Sequence, residues 1–182
     1  MPRSEPSTQV VLRLVHGDEP KATLDDIYRR YCRYVAGIIV RLGGCAAEVD
    51  DLLQEVFVEA AAGIERLREP EAIKGWLATI AVRRVRRYLR LRRLWRLLGL
   101  DRDASQAGLI DPAASPVDRL LLRAVYRVLD DMPTEDRLAF GLHVIEGETL
   151  EAVARLCGCS FATAKRRVSR AQRRIEEELS DV

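Results

Sequence analysis

Residues 149–171 read TLEAVARLCGCSFATAKRRVSRA, and this stretch decides the fold. Thr149 and Ser160 each stand where a helix could begin, and a hydroxyl there can accept from N–H groups that a first turn leaves open. Between them lies Cys157-Gly158-Cys159, with glycine where a tight turn needs one. Ala154 is the small residue a helix crossing requires, and Ala164 seats the second helix. Val168, Ala171, Ile175 and Leu179 continue that seat at helical period, while Lys165, Arg166, Arg167, Arg170, Arg173 and Arg174 fill the remaining face. The pattern predicts a helix-turn-helix. The second helix of that motif enters the major groove with its N-terminal residues on base edges. Lys165, Arg166, Ser169 and Arg170 lie at one-turn spacing on the exposed side, able to meet bases or phosphates. A solvated basic helix end could carry the same arginines, but cap, turn, stripe and charge agree on DNA.

Upstream of the motif the apolar positions keep the helical period. Val117, Leu120, Leu121, Ala124, Val125, Val128 and Leu129 form one helix, which Met132-Pro133 ends. Thr134 is expected to cap the next helix, which carries Leu138, Gly141, Leu142 and Ile145 and stops at Glu146-Gly147. Residues 117–182 are therefore expected to form one helical domain. Residues 98–116 are rich in Gly, Ala, Ser, Asp and Pro and read as a linker. Before it, three stripes can close a second small core over 22–97: Leu24 to Leu42, ended by Gly43-Gly44; Val49 to Leu67; and Ile73 to Tyr88, opened by Pro70. This stripe is expected to put Trp76 and Tyr88 in the core. Residues 1–21 read as a loose tail. The fold class is all-α, with two small domains on a flexible linker.

The 182 residues carry a net charge of only +2, but the charges are sorted. Residues 74–96 hold nine Lys or Arg and no acid; 161–174 hold six and no acid. Residues 46–71 hold eight acids against two Arg, and 128–151 seven acids against one. Two basic blocks suggest two contacts with a polyanion, and the acidic ones a basic protein partner. No apolar run is long enough for a membrane span, and the N-terminus lacks a signal-peptide core, so a cytoplasmic protein is expected. Cys32, Cys45, Cys157 and Cys159 form no Cys-x-x-Cys pair and have no matching His spacing, so no metal site is expected. No phosphate loop or nucleophile-His-acid set is present, so neither enzyme chemistry nor a cofactor is expected.

The residues resemble a known family. Leu24-Asp-Asp-Ile-Tyr-Arg-Arg-Tyr31, Val49-Asp-Asp-Leu-Leu-Gln-Glu-Val-Phe57, Gly75-Trp-Leu-Ala-Thr-Ile-Ala81 and the Arg-rich helix after them resemble region 2 of the bacterial sigma-70 family. Val125-Tyr-Arg-Val-Leu-Asp-Asp-Met-Pro133 through the helix-turn-helix resembles region 4. With only these two regions on a short linker, the chain is similar to the extracytoplasmic-function group. The resemblance implies a factor that brings core RNA polymerase to promoter DNA, places region 4 on the −35 element and melts the −10 element with region 2. It implies that Asp51, Gln54 and Glu55 bind the β′ clamp of the polymerase, with the β flap as a second polymerase contact. It implies that Arg66, Lys74, Arg83, Arg86 and Arg87 act at the −10 element, and Lys165, Arg166, Ser169 and Arg170 at the −35 element. An anti-sigma factor is a further implied partner. The chain departs from the family at Arg83, where Asn is frequent, and at Ala164, a smaller seat than the recurring Val.

The linker would span roughly 20–25 Å as a relaxed coil, and up to about 60 Å extended. Promoter boxes one and a half turns apart are separated by roughly 50 Å. The free chain is therefore expected to hold its domains close, hiding DNA surfaces until polymerase separates them. Three other readings share parts of the pattern. A stand-alone helix-turn-helix regulator would bind a palindrome as a dimer. A site-specific recombinase would need a nucleophilic Ser or Tyr among arginines, and Tyr88 lies on the apolar stripe instead. A decoy would keep the polymerase contact without promoter opening.

Overall fold

The computed structural model describes residues 23–43, 48–67, 70–100 and 115–180. The expected tail, Cys45 and most of the expected linker lie outside the described residues. Seven α-helices are described: α1 (Leu24–Gly43), α2 (Val49–Gly63), α3 (Ile73–Leu97), α4 (Pro116–Asp131), α5 (Thr134–Phe140), α6 (Leu150–Cys157) and α7 (Phe161–Ser180). Short 3-10 turns, Ile64–Arg66 and Pro70–Ala72, join α2 to α3, so Pro70 opens a 3-10 turn rather than α3 itself. Among the described residues no helix is long and apolar enough to cross a membrane.

The helix starts follow local chemistry. Thr23 Oγ1 accepts from the Asp26 N–H at 3.2 Å, and the Asp26 carboxylate accepts from the Thr23 N–H at 2.9 Å. Ser115 caps α4 through the Asp118 N–H, with Pro116 in the first turn. Thr149 caps α6 through the Ala152 N–H, and Ser160 accepts from the Thr163 N–H at 3.2 Å. Thr134 is different. Pro133 holds the N-cap position of α5, and Thr134 is buried inside the first turn. Proline already fixes φ for the entry, so the threonine side chain is free to pack. The end of that helix also differs, since Gly141–Ile145 is a π turn.

α1, α2 and α3 pack around Val35, Ile39, Val56, Ala60, Leu77, Ala81 and Val85, all fully buried. In the second half, α4 lies on α7 through Tyr126, Leu129, Ala171 and Ile175. A larger cluster is shared by both halves. Leu138, Ala139, Leu142, Val153, Ala154, Cys157, Ala164 and Val168 join the same apolar cluster as α1–α3. Each Leu or Val buried there contributes about 1.5–3 kcal/mol, so the second half sits on the first as part of its core. The approach is close at Gly141, where a Cβ would fall 2.6 Å from Leu42 Cδ2. Trp76 and Tyr88, expected in the core, pack against its edge and are half-buried. Trp76 lies against Gly63, where a Cβ would come within 3.0 Å of its ring.

Candidate nucleic-acid and partner surfaces

The turn at the DNA motif is built as its sequence requires. Gly158 is left-handed (φ 62°, ψ 44°), a region an L side chain rarely enters, and the Cys159 N–H closes on Ala154 O at 2.9 Å. α7 then starts at Phe161 with Ala164, Val168, Ala171 and Ile175 buried. This leaves Lys165, Arg166, Ser169 and Arg170 exposed. Among the described residues the side chains of Lys165, Arg166 and Ser169 have no hydrogen-bond or ion-pair partner. Arg170 instead makes a two-pronged pair with Asp136, both contacts at 2.6 Å. Asp136 is only 2% exposed, so its charge needs that partner. Cys157 is buried and Cys159 half-buried. Burial pushes the Cys157 thiol pKa up, which keeps it protonated and inert.

The arginines of α3 are heavily engaged. Arg84 spans Glu59 (2.6 and 2.9 Å) and Glu55 (3.0 Å), while Arg83 pairs with Glu59. Arg86 donates to Cys157 O at 3.0 Å and lies 3.3 Å from Glu135. Arg90 reaches the same Glu135 at 2.7 Å, and Arg167 of α7 comes within 3.3 Å of its other oxygen. One carboxylate thus gathers cations from both arginine-rich helices. Farther along, Arg92 (3.1 Å) and Arg96 (3.5 Å) meet Asp130, with Arg96 also 3.4 Å from Asp131. Lys74 lies over the Tyr34 ring at 4.8 Å. Arg87 is exposed, and Arg66 closes the 3-10 turn after α2.

Arg137 locks the two halves. Only 4% exposed, it pairs with Asp130 and donates to Gly43 O at 2.7 Å and Leu42 O at 3.2 Å. Tyr126 OH donates to Arg41 O at 3.1 Å. These are carbonyls that the last turn of α1 leaves without partners, and a cation there also suits the negative end of the helix. Burial lowers the Arg137 pKa, with Asp130 working against it, and the guanidinium keeps its charge. At the rim Arg41 holds Glu146 at 2.8 Å.

The acidic block 128–151, expected to face a protein partner, therefore turns inward: Asp130, Glu135, Asp136 and Glu146 all pair within the chain. The sequence offers Glu135 and Asp136 as first-turn acids of α5, and their pairing with arginines of α3 and α7, like that of Asp130 with Arg137, comes only with the packing, although the acid run and the arginine runs together are its signal. The other acidic block keeps an open face. Asp50, Asp51 and Gln54 are exposed on α2, and among the described residues only Glu55 of the expected trio is tied, to Arg84. Beside them runs a groove of about 620 Å³ between α1 and α2, lined by Leu24, Tyr28, Leu53, Phe57 and Val58. A second opening, about 440 Å³, lies beside the 3-10 turns and is lined by Glu59, Gly63, Leu67, Trp76 and Arg83. Among the described residues no three His, Cys, Asp or Glu are grouped to hold a metal ion.

A helix-turn-helix on one half and an acid-faced helix beside an arginine helix on the other define a two-part, helical DNA-binding protein. Comparison with known proteins agrees. Residues 27–95 match the family described as Sigma-70 region 2, and residues 122–175 match Sigma-70, region 4. A probable RNA polymerase sigma factor, RfaY, of Xanthomonas campestris pv. campestris is 30% identical over 149 residues. That match takes in 80% of this chain, and the chain spans only 37% of that longer relative. The ECF RNA polymerase sigma-E factor of Escherichia coli K12 is 28% identical over 97% of this chain and 96% of its own length. Among solved structures, the sigma factor RpoE of Bartonella quintana, in complex with the anti-sigma factor NepR, matches with a TM-score of 0.60 and 25% identity. The match covers 86% of this chain and 96% of that one. The chain belongs to the sigma-70 family of RNA polymerase sigma factors, in its extracytoplasmic-function group.

Proposed function

We propose that this sigma factor rests in a closed form and becomes competent for promoters when core RNA polymerase opens it. The observation that carries the reading is Glu135, which gathers Arg86, Arg90 and Arg167 from the two helices that are to meet DNA. A carboxylate placed among such cations occupies them as a phosphate would. In this reading the chain is a non-enzymatic specificity subunit of the cytoplasm, organised as a region 2 unit over 22–97 and a region 4 unit over 117–182.

The roles then fall as follows. Asp51 and Gln54, with Glu55 beside them, bind the β′ clamp, and the α1–α2 groove gives that contact an apolar centre. Region 4 adds the β flap. Arg66, Lys74, Arg83, Arg86 and Arg87 act at the −10 element. The opening at Trp76 and Arg83 offers an apolar wall to a base taken out of its stack, which otherwise costs a few kcal/mol, and Arg83 adds a cation on leaving Glu59. Lys165, Arg166 and Ser169 face the −35 element directly, and Arg170 joins them on leaving Asp136. The Bartonella relative is held by an anti-sigma factor, and an inhibitor protein is proposed here too.

Run-off transcription with purified core polymerase tests this reading. Substituting Gln54 and Glu55 should abolish core binding, whereas Arg166→Ala should spare core binding and lose −35-dependent transcription. Tight, specific duplex binding by the isolated chain would overturn it.

A further inference from the structure

α7 leads with apolar side chains. In its first turn Ala164 is buried, and the Thr163 hydroxyl meets that of Ser160 at 2.9 Å. What the turn presents outward is Phe161, 47% exposed, and Ala162, also exposed. Phe161 belongs to neither apolar cluster, so its ring does not help to seat the helix. Helical side chains lean toward the N-terminus, so the ring stands at the leading end. At about 100° per residue, Ala162, Arg166, Ser169 and Arg173 form the row opposite the buried Ala164, Val168 and Ala171. Phe161 and Lys165 flank that row on one side. The other flank carries Arg167 and Arg170, which pair with Glu135 and Asp136 of α5. The Phe161 flank is exposed, and residues 161–174 contain no acid.

We propose that Phe161, with Ala162 beside it, is a base-reading residue of the −35 surface, and that the group it reads is a thymine methyl. The inference rests on the −35 role proposed above for α7. A helix-turn-helix sets the N-terminal residues of its second helix on base edges in the major groove. Polar side chains read the amino, carbonyl and ring-nitrogen groups there, and the thymine C5-methyl is the apolar group of that groove. A phenyl ring has no donor for a phosphate and no acceptor for a base amine. Burial against the methyl is what it gains in the groove. Lys165 and Arg166, one turn further on, can donate to guanine O6 and N7. Phe161 precedes Arg166 by about 7.5 Å along the helix axis, which puts the thymine within about three base pairs of the base that Arg166 meets.

The test uses holoenzyme reconstituted from the full chain and core polymerase. −35 sequences are selected from promoter duplexes randomised over that box. Each thymine of the selected box is then replaced, singly, by deoxyuracil, which removes only the methyl. At one position the replacement should weaken binding about fourfold, the worth of one buried methyl. Phe161→Ala should lose that difference and bind the thymine and deoxyuracil duplexes alike. A ring with a merely structural role would lower binding to both duplexes and leave their ratio unchanged, and that result overturns the proposal. So does a selected box without thymine, or one in which no deoxyuracil weakens binding. If the holoenzyme enriches no −35 box, the −35 reading fails and this assignment with it. A box that Phe161→Ala enriches identically overturns the assignment of Phe161 alone.

Discussion

Two acidic surfaces look alike in the sequence and end in opposite places. On α2, Asp50, Asp51 and Gln54 stay in water beside an open apolar groove. At the α4–α5 corner, Asp130, Glu135 and Asp136 are turned against arginines of α3, α5 and α7. The difference lies in what each carboxylate can reach. On α2 the arginines of α3 reach Glu55 and Glu59, while Asp50 and Asp51 stay exposed. The α4–α5 corner rides on α3, where acid-free sequence supplies the counter-charge. A charge run therefore says that a partner of opposite sign is needed, and only the packing says whether that partner is internal.

The comparison can be broken first at Arg137. Arg137→Ala leaves Asp130 and the α1 carbonyls short of a buried partner and should cost about 3–5 kcal/mol, read by urea unfolding. Gly141→Ala should cost about 1–2 kcal/mol, because its methyl meets Leu42. Adding Leu42→Ala should shrink the effect of the Gly141 change, a coupling that a double-mutant cycle will measure. Glu135→Gln should cost only about 1 kcal/mol, falling with added salt, but should raise the affinity of the free chain for DNA. The smallest stability effect is expected on the other surface. Asp51→Asn and Gln54→Ala should change stability by less than about 0.5 kcal/mol, while core-polymerase pull-down drops sharply. If these substitutions unfold the chain, the α2 face is structural and the contrast is lost.

The sequence made the local features legible. Thr149, Ser160 and Gly158 mark the helix-turn-helix because capping and left-handed turns depend on single residues within a few positions. The seats Ala164, Val168, Ala171 and Ile175 follow from period alone. What joins the halves was hidden for a physical reason: Arg137 lies 94 residues from Gly43 and caps α1 through space. No local rule distinguishes it from a solvated arginine. Thr134 misled because Pro133 had already set the helix entry. Trp76 follows its stripe onto the core, but period alone does not show that it also lines the opening beside the 3-10 turns.

Energy transfer between dyes carried on α1 and α7, measured in the free chain and after adding core polymerase, tests the central claim most directly. Closed halves predict high transfer in the free chain, lower transfer in Arg137→Ala, and a large drop when polymerase binds. Low transfer in the free chain, or transfer that polymerase leaves unchanged, would contradict it.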